Sequence, residues 1–331
     1  MTSEMQQKKR PTSFDVAKAA GVSRATVSHV LNGRGKFPEE TRNRVLAAAS
    51  QLQYTPSPAG RALVRGRSDI LVVVIPYTTF GSNLQDLVDD ITAEAGRHGL
   101  SVVVRFAGAD PDETLAAVQH FRPVAVVDIG ALGPAQRNAV ETAGAIVIPR
   151  LRNEDDPRNN PNFVIGQLML AELLSRGPRR VVFAALLDDR SDPFGPARYE
   201  GMKHSALERG LPEPERIEVP LVLKGAKAAL MGQWTKDEPL AIACYNDAVA
   251  LAVLAAGREL GLSVPEQLSV MGVDATAEGQ LVSPRLTTLR VGNAPVMDRI
   301  AADLAALNGG NPVAVEVKTK SPFAVISGET T

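Results

Sequence analysis

The chain of 331 residues has a single cysteine, Cys244, one tryptophan and four histidines, and each scarcity removes a class of protein. One thiol cannot close an internal disulfide, and no CxxC, HExxH or other Cys/His ligand spacing occurs, so neither a disulfide scaffold nor a metal site is expected. Aromatic residues are only 4% of the chain, too few for a single-strand stacking platform or a richly aromatic sugar cleft. No apolar run reaches the length of a membrane span, and the opening MTSEMQQKKR lacks the apolar core of a signal peptide. The expectation is a protein of a reduced, cytoplasmic compartment with no membrane partner. There is also no GxSxG elbow, no GxxxxGK phosphate loop and no paired set of metal ligands. The sequence therefore reads as a non-enzyme without cofactor or metal.

What the chain does have is a lopsided charge. Residues 1–67 hold twelve Lys and Arg against four Asp and Glu, a net +8, so the remainder carries −9 within the total of −1. A basic head precedes an acidic body. On charge alone that head is either a nucleic-acid contact or a solvated basic tail.

Residues 1–11 are polar and aperiodic and read as a flexible arm. Thr12 followed by Asp15 starts a helix in the manner of a capping box; Val16, Ala19 and Ala20 recur on it until Gly21 breaks the run. Ser23 caps a second short helix carrying Val27 and Leu31 inward, closed by Asn32-Gly33. Pro38 opens a third over Glu39–Leu52, with Val45, Leu46, Ala49 and Leu52 on its stripe. Past the Pro-, Gly- and Arg-containing stretch 56–68, strand-like runs such as Ile70–Ile75 and Leu268–Val273 alternate with helical patterns, the rhythm of parallel α/β lobes. A ligand would bind between two such lobes, at the carboxyl ends of the strands.

The segment Asp15-Val-Ala-Lys-Ala-Ala-Gly21-Val-Ser23-Arg-Ala-Thr-Val-Ser28-His-Val-Leu-Asn32-Gly33 resembles the helix-turn-helix of the lactose/galactose repressor (LacI/GalR) family of transcriptional regulators. The resemblance implies that the second helix enters the major groove and presents Arg24, Ala25 and His29. Arg24 can donate to O6 and N7 of guanine, Ala25 can touch a thymine methyl, and His29 either reads a base or holds a phosphate. Ser23, Thr26 and Ser28 offer short hydroxyls to the backbone, and Thr12, Asn32 and Tyr54 fall at the family's backbone-contact positions. Pro58-Ala-Gly-Arg-Ala-Leu63 aligns with the family's hinge, where Leu63 matches the minor-groove wedge; Gly60 replaces the usual alanine and weakens helix there by roughly 1 kcal/mol.

Strings in the body continue the likeness. Ala197-Arg-Tyr-Glu-Gly201 places Arg198 as a ligand clamp or, alternatively, in a surface ion pair. Tyr-Asn246-Asp247 and Val-Met-Gly-Val-Asp274 place Asn246 and Asp274 toward the cleft or, alternatively, as loop caps. Phe80 faces the cleft or packs in the core. Several family sugar-gripping positions differ: Ile148-Pro149-Arg150, Asn162-Phe163 and Gly177-Pro178 stand there, and Leu221–Ala226 holds no stacking ring. A plain hexose is a weak default for the effector; a modified or charged metabolite is the other reading.

The resemblance thus implies an α/β fold class, with an N-terminal three-helix helix-turn-helix head and a two-lobed periplasmic-binding-protein-like, Rossmann-like effector domain. The domains would be 1–11 arm, 12–55 DNA-binding head, 56–68 hinge and 69–331 body, with lobe 1 about 69–160 and 287–310 and lobe 2 about 161–286 and 311–331. The partners implied are double-stranded operator DNA, a small-molecule effector such as a sugar or sugar derivative, and a second copy of the chain in a homodimer at the nucleoid. Two alternatives remain at this point: a family member governed by a protein partner or by no effector, and a solute-binding protein, for which the basic head would be out of place.

Overall fold

A computed structural model describes residues 11–31, 35–55, 68–78, 83–150, 160–190, 192–236, 238–307 and 321–331. They divide into two units, one of the residues up to Ile70 with Arg122–Val124 and one of Leu71–Phe121 with Ala125–Thr331.

In the first unit, α1 (Ser13–Ala20), α2 (Arg24–Leu31) and α3 (Glu39–Gln51) share a small core. The Thr12 N–H and hydroxyl both donate to Asp15 Oδ2, at 2.8 and 2.7 Å, which fixes the start of α1. Gly21 ends it in the left-handed region at φ +65°, where a Cβ is disfavoured, and its N–H donates to Ala17 O. Ser23 Oγ then accepts the Thr26 N–H at 3.1 Å and caps α2.

The buried residues are Val16, Ala17, Ala20, Val27, Val30, Val45, Ala48 and Ala49, with no side chain larger than valine among them. This corrects three sequence expectations. Ala19 is exposed while Ala17 and Ala20 pack inward, Val30 is buried and Leu31 only half-buried, and Ala48 displaces Leu46, which is 44% exposed. Residues three and four apart share a helix face, and the small core selects the alanines that let the helices approach.

The second unit contains two sheets. The first joins β1 (Ile70–Ile75), β2 (Ser101–Phe106), β3 (Ala125–Asp128) and β4 (Ile146–Ile148) in the order β2-β1-β3-β4. Its β1–β3 and β3–β4 pairs are parallel, in register at Val72↔Val126 and Val126↔Val147. The second sheet joins β5 (Arg180–Leu187), β6 (Glu215–Pro220), β7 (Leu240–Cys244), β8 (Leu268–Val273), β9 (Thr287–Val291) and β10 (Phe323–Ile326) in the order β10-β9-β8-β7-β5-β6. All its pairs are parallel except β10 with β9. The runs LAIAC and LSVMGV are apolar without alternation because helices cover both faces of a parallel sheet.

Helices α4 (Asn83–Arg97), α5 (Pro111–His120) and α6 (Pro134–Thr142) alternate with strands of the first sheet. Helices α7 (Pro161–Leu173), α8 (Gly195–Glu208), α9 (Leu223–Met231), α10 (Asp247–Glu259) and the short α11 (Ala277–Leu281) accompany the second. The final helix α12 (Ala294–Leu307) packs back on α4 and β4.

That path corrects the expected lobe boundary at 287. β9 stays in the second sheet, in register at Met271↔Thr287 and Val273↔Leu289, so the chain returns to the first lobe only beyond Val291. Polar Thr287 and Thr288 masked this strand in the sequence. Both are fully buried because their polar atoms are paired: Thr287 N–H donates to Thr330 Oγ1 at 2.9 Å, and the Thr288 hydroxyl donates to Asp247 Oδ1 at 2.6 Å.

The pair α7–α8 makes the most intimate helix contact of the second unit. A Cβ on Gly166 would collide with the Arg198 carbonyl, and one on Gly201 with the Phe163 carbonyl. Backbone therefore touches backbone at this crossing, and Arg198 is brought beside Asn162.

Candidate DNA-reading helix and ligand cleft

On the head, α2 buries Val27 and Val30 and turns Arg24, Ala25 and His29 outward. The 100° step between residues makes these two sets mutually exclusive, so packing one inward presents the other. The His29 ring stands edge-on to Phe37 at 6.3 Å, which limits its rotation. The hydroxyls are more constrained than the sequence implied. Both donors of Thr12 are held by Asp15, so a phosphate contact through Thr12 needs the capping box to open. Ser23 Oγ and Thr26 Oγ1 lie 2.9 Å apart and share one proton contact, leaving one of their two protons for a phosphate. Ser28 is half-buried, and Tyr54 packs half-buried against the head core with its N–H on Ala49 O. Asn32, Gly60, Leu63 and Phe80 lie outside the described residues.

In the body, a cleft of about 180 Å³ opens at the carboxyl ends of the strands, where open α/β sheets bind ligands. Leu84 and Leu87 of α4 and Ile129 after β3 form one wall; Asn162 and Ile165 of α7, Phe194, Arg198 of α8, Tyr245, Asn246 and Asp274 form the other, with Val291 and Asn293 at the crossover. The Tyr245 phenol lies near the Thr78 side chain, and Arg190 lies over the Tyr77 ring at 5.9 Å. Burial pushes the Tyr245 phenol up to about 12.

Arg198 is only 7% exposed and makes no ion pair among the described residues, which removes the surface-pair alternative. Its Nε donates to Asn162 Oδ1 at 3.0 Å and its Nη1 to the Tyr245 carbonyl. The rings of Phe194 and Tyr245 flank the guanidinium at 5.8 and 5.2 Å. Desolvation pulls its pKa below the ordinary value, while Asp274, Tyr245 and Asp192 act in the opposite sense. Asn246 does cap α10: its Oδ1 accepts the Val249 N–H at 3.0 Å, and its amide nitrogen remains for other partners. Asp274 holds φ +108°, unusual for a residue with a Cβ, with its N–H on Leu289 O at 2.9 Å. The cleft thus brings Arg198, Asn246 and Asp274 together.

Sequence reasoning missed three cleft residues. Asn162, in the sequence only a departure from the family pattern, orients Arg198. Phe194 and Tyr245 supply rings from loops, not from the Leu221–Ala226 stretch. Tyr245 had one legible signal, its place between a buried strand and the Asn246 cap. Cys244 is buried, and burial raises its thiol well above the ordinary value, so it is not a nucleophile. Among the described residues there is no cluster of three metal-ligating side chains and no helix long and apolar enough to cross a membrane.

A helix-turn-helix head joined to a two-lobed α/β body with a cleft at its strand ends defines a DNA-binding transcriptional regulator, not an enzyme. Residues 14–57 match the bacterial regulatory proteins of the lacI family, and residues 170–331 match the periplasmic binding protein-like domain. The chain thus carries a lacI-family helix-turn-helix domain and a periplasmic-binding-protein-like domain. It is 28% identical over 293 residues to the transcriptional regulator DegA of Bacillus subtilis, covering 85% of this chain and 86% of DegA. It is 28% identical over 324 residues to the regulator GntR of Pseudomonas aeruginosa, covering 92% and 91% of the two chains. Its fold is that of the lac repressor dimer bound to operator and the anti-inducer ONPF, with TM-score 0.76, 22% identity, and 97% and 99% of the chains covered. A lacI-family regulator from Silicibacter pomeroyi superposes with TM-score 0.73 at 24% identity, covering 97% and 99%.

Proposed function

We propose that this regulator is an effector-responsive repressor that binds a pseudopalindromic operator at the nucleoid as a homodimer. The observation that carries this reading is the division of α2, with Val27 and Val30 in the core and Arg24, Ala25 and His29 outside. Two such heads related by a twofold axis occupy successive major grooves, so dimer symmetry demands operator symmetry. Ser23, Thr26, Ser28 and Tyr54, with Thr12 once its capping box opens and Asn32 beyond the described residues, set the register on the phosphates. Gly60 and Leu63 keep the hinge and wedge roles that the family resemblance gives them. Leu63→Ala is expected to reduce DNA bending in a gel-phasing assay.

The cleft supports control by a small molecule. Arg198, Asn246 and Asp274 converge there from three segments of the second lobe, and ligand held between the lobes shifts the balance of their arrangements by its differential affinity. Selection of genomic fragments by the purified protein, repeated with and without candidate metabolites, tests both halves. Enrichment of an inverted repeat, with release by a metabolite, is the expected result. Failure to retain any double-stranded fragment at low ionic strength overturns the DNA reading, and retention that no metabolite changes overturns the effector reading.

A further inference from the structure

Asp247 is fully buried and does not line the cleft, yet it holds segments that do. It is the first residue of α10, directly after Asn246. Its Oδ1 accepts the Thr288 hydroxyl of β9 at 2.6 Å, and its Oδ2 accepts the Thr276 N–H at 2.7 Å. Thr288 Oγ1 in turn accepts the Ala275 N–H at 3.2 Å. One carboxylate thus ties together the start of α10, the turn after β8 and strand β9. These three segments carry Asn246, Asp274 and Val291 to the cleft wall.

The turn needs such a tie. Asp274 and Ala275 stand in succession at φ +108° and +53°. Backbone of this kind is costly for a residue with a Cβ and persists only where the surrounding contacts over-determine it. Here three consecutive N–H groups are engaged: Asp274 donates to the Leu289 carbonyl at 2.9 Å, Ala275 to Thr288 and Thr276 to Asp247. Strand β8 leaves space for the carboxylate, since a Cβ on Gly272 would collide with its Oδ1. Burial pushes the Asp247 carboxyl up, and the hydrogen bonds from Thr288 and Thr276 oppose that shift.

We propose that Asp247, relayed through Thr288, is a positioning residue of the cleft: it holds the turn at Asp274 and Ala275 in the form that lines the ligand site. Side chains at a binding site keep their geometry through such supporting hydrogen bonds. The role in ligand control rests on the effector reading above, whereas the hold on the turn is measurable without any ligand.

The test is backbone amide exchange of the full-length protein, read residue by residue by mass spectrometry. In Thr288→Val the Ala275 N–H loses its own acceptor, whereas the Thr276 N–H keeps Asp247. Exchange at Thr276 is nevertheless expected to quicken about tenfold, because the turn as a whole loosens. A Thr288 that served only its own bond would quicken Ala275 alone. Thr288→Ser is expected to restore the parental rates at both positions. Ala275→Gly removes the Cβ penalty, so in that background Thr288→Val is expected to leave Thr276 nearly unchanged. Asp247→Leu is expected to quicken both amides; should that variant not fold, the Thr288 and Ala275 series decides. Thr276 exchange that is unchanged in Thr288→Val, or quickened equally with and without Ala275→Gly, overturns the proposal. A metabolite screen that finds no effector while these rates behave as expected overturns the effector reading and leaves the hold on the turn standing.

Discussion

Gly166 and the carbonyl of Arg198 meet across the α7–α8 crossing with no room for a Cβ between them. The contact links helix packing to recognition, because the same residue that offers its backbone to Gly166 offers its guanidinium to the cleft.

Gly166→Ala is expected to force the two helices apart. Overpacking of this kind costs about 1–3 kcal/mol, a fall of several degrees in Tm, measurable by calorimetry. Ligand-induced stabilisation should fall with it, because Asn162 and Arg198 sit on the separated helices. A variant that melts and responds like the parent would show that the crossing yields freely.

Arg24→Ala is expected to lose about 1–3 kcal/mol at one symmetric base-pair position, with nonspecific binding nearly unchanged. Competition binding across single-base variants of a selected fragment reads this directly. A uniform loss on every sequence would assign Arg24 to phosphate.

Tyr245 gives a pH signature. Its folded-state pKa of about 12, set chiefly by burial, lies above the ordinary value of 10. The protonated phenol is thus the form that the fold favours; its contribution is fully present below pH 10 and is lost as the pH rises toward about 12. Ultraviolet titration should show a phenol that resists ionisation up to that range, absent in Tyr245→Phe. Ionisation of every tyrosine near pH 10 would contradict it.

Thr330 is fully buried, donates to the Val270 carbonyl at 2.6 Å and accepts the Thr287 N–H at 2.9 Å. Thr330→Ala leaves both backbone groups buried without these partners, and a loss of about 1–3 kcal/mol is expected in denaturant unfolding. Thr330→Ser should recover most of it. Equal stability of the alanine and serine variants would show that water replaces the hydroxyl.

The head was legible because its signals are local. Thr12 with Asp15, Gly21 and Ser23 are read within four residues, and each determines a helix end by its own hydrogen bond or dihedral. The interior runs of β1, β7 and β8 were legible because parallel strands buried on both faces need no period. Where burial depended on a distant partner, the sequence was silent. Thr287 and Thr288 look like loop residues until Thr330 and Asp247 come to meet them, and β10 and α11 are too short to declare a pattern. Helix α9 was hidden by Lys224 and Gly225 beside exposed Leu223. For the cleft, Arg198, Asn246 and Asp274 were found through family likeness, whereas Phe194 and Tyr245 needed three-dimensional proximity to a guanidinium.

The polar lining residues Asn162, Arg198, Asn246 and Asp274 all come from the carboxy-terminal lobe, so a fault in the packing of that lobe disarms the cleft even where the amino-terminal strands are intact.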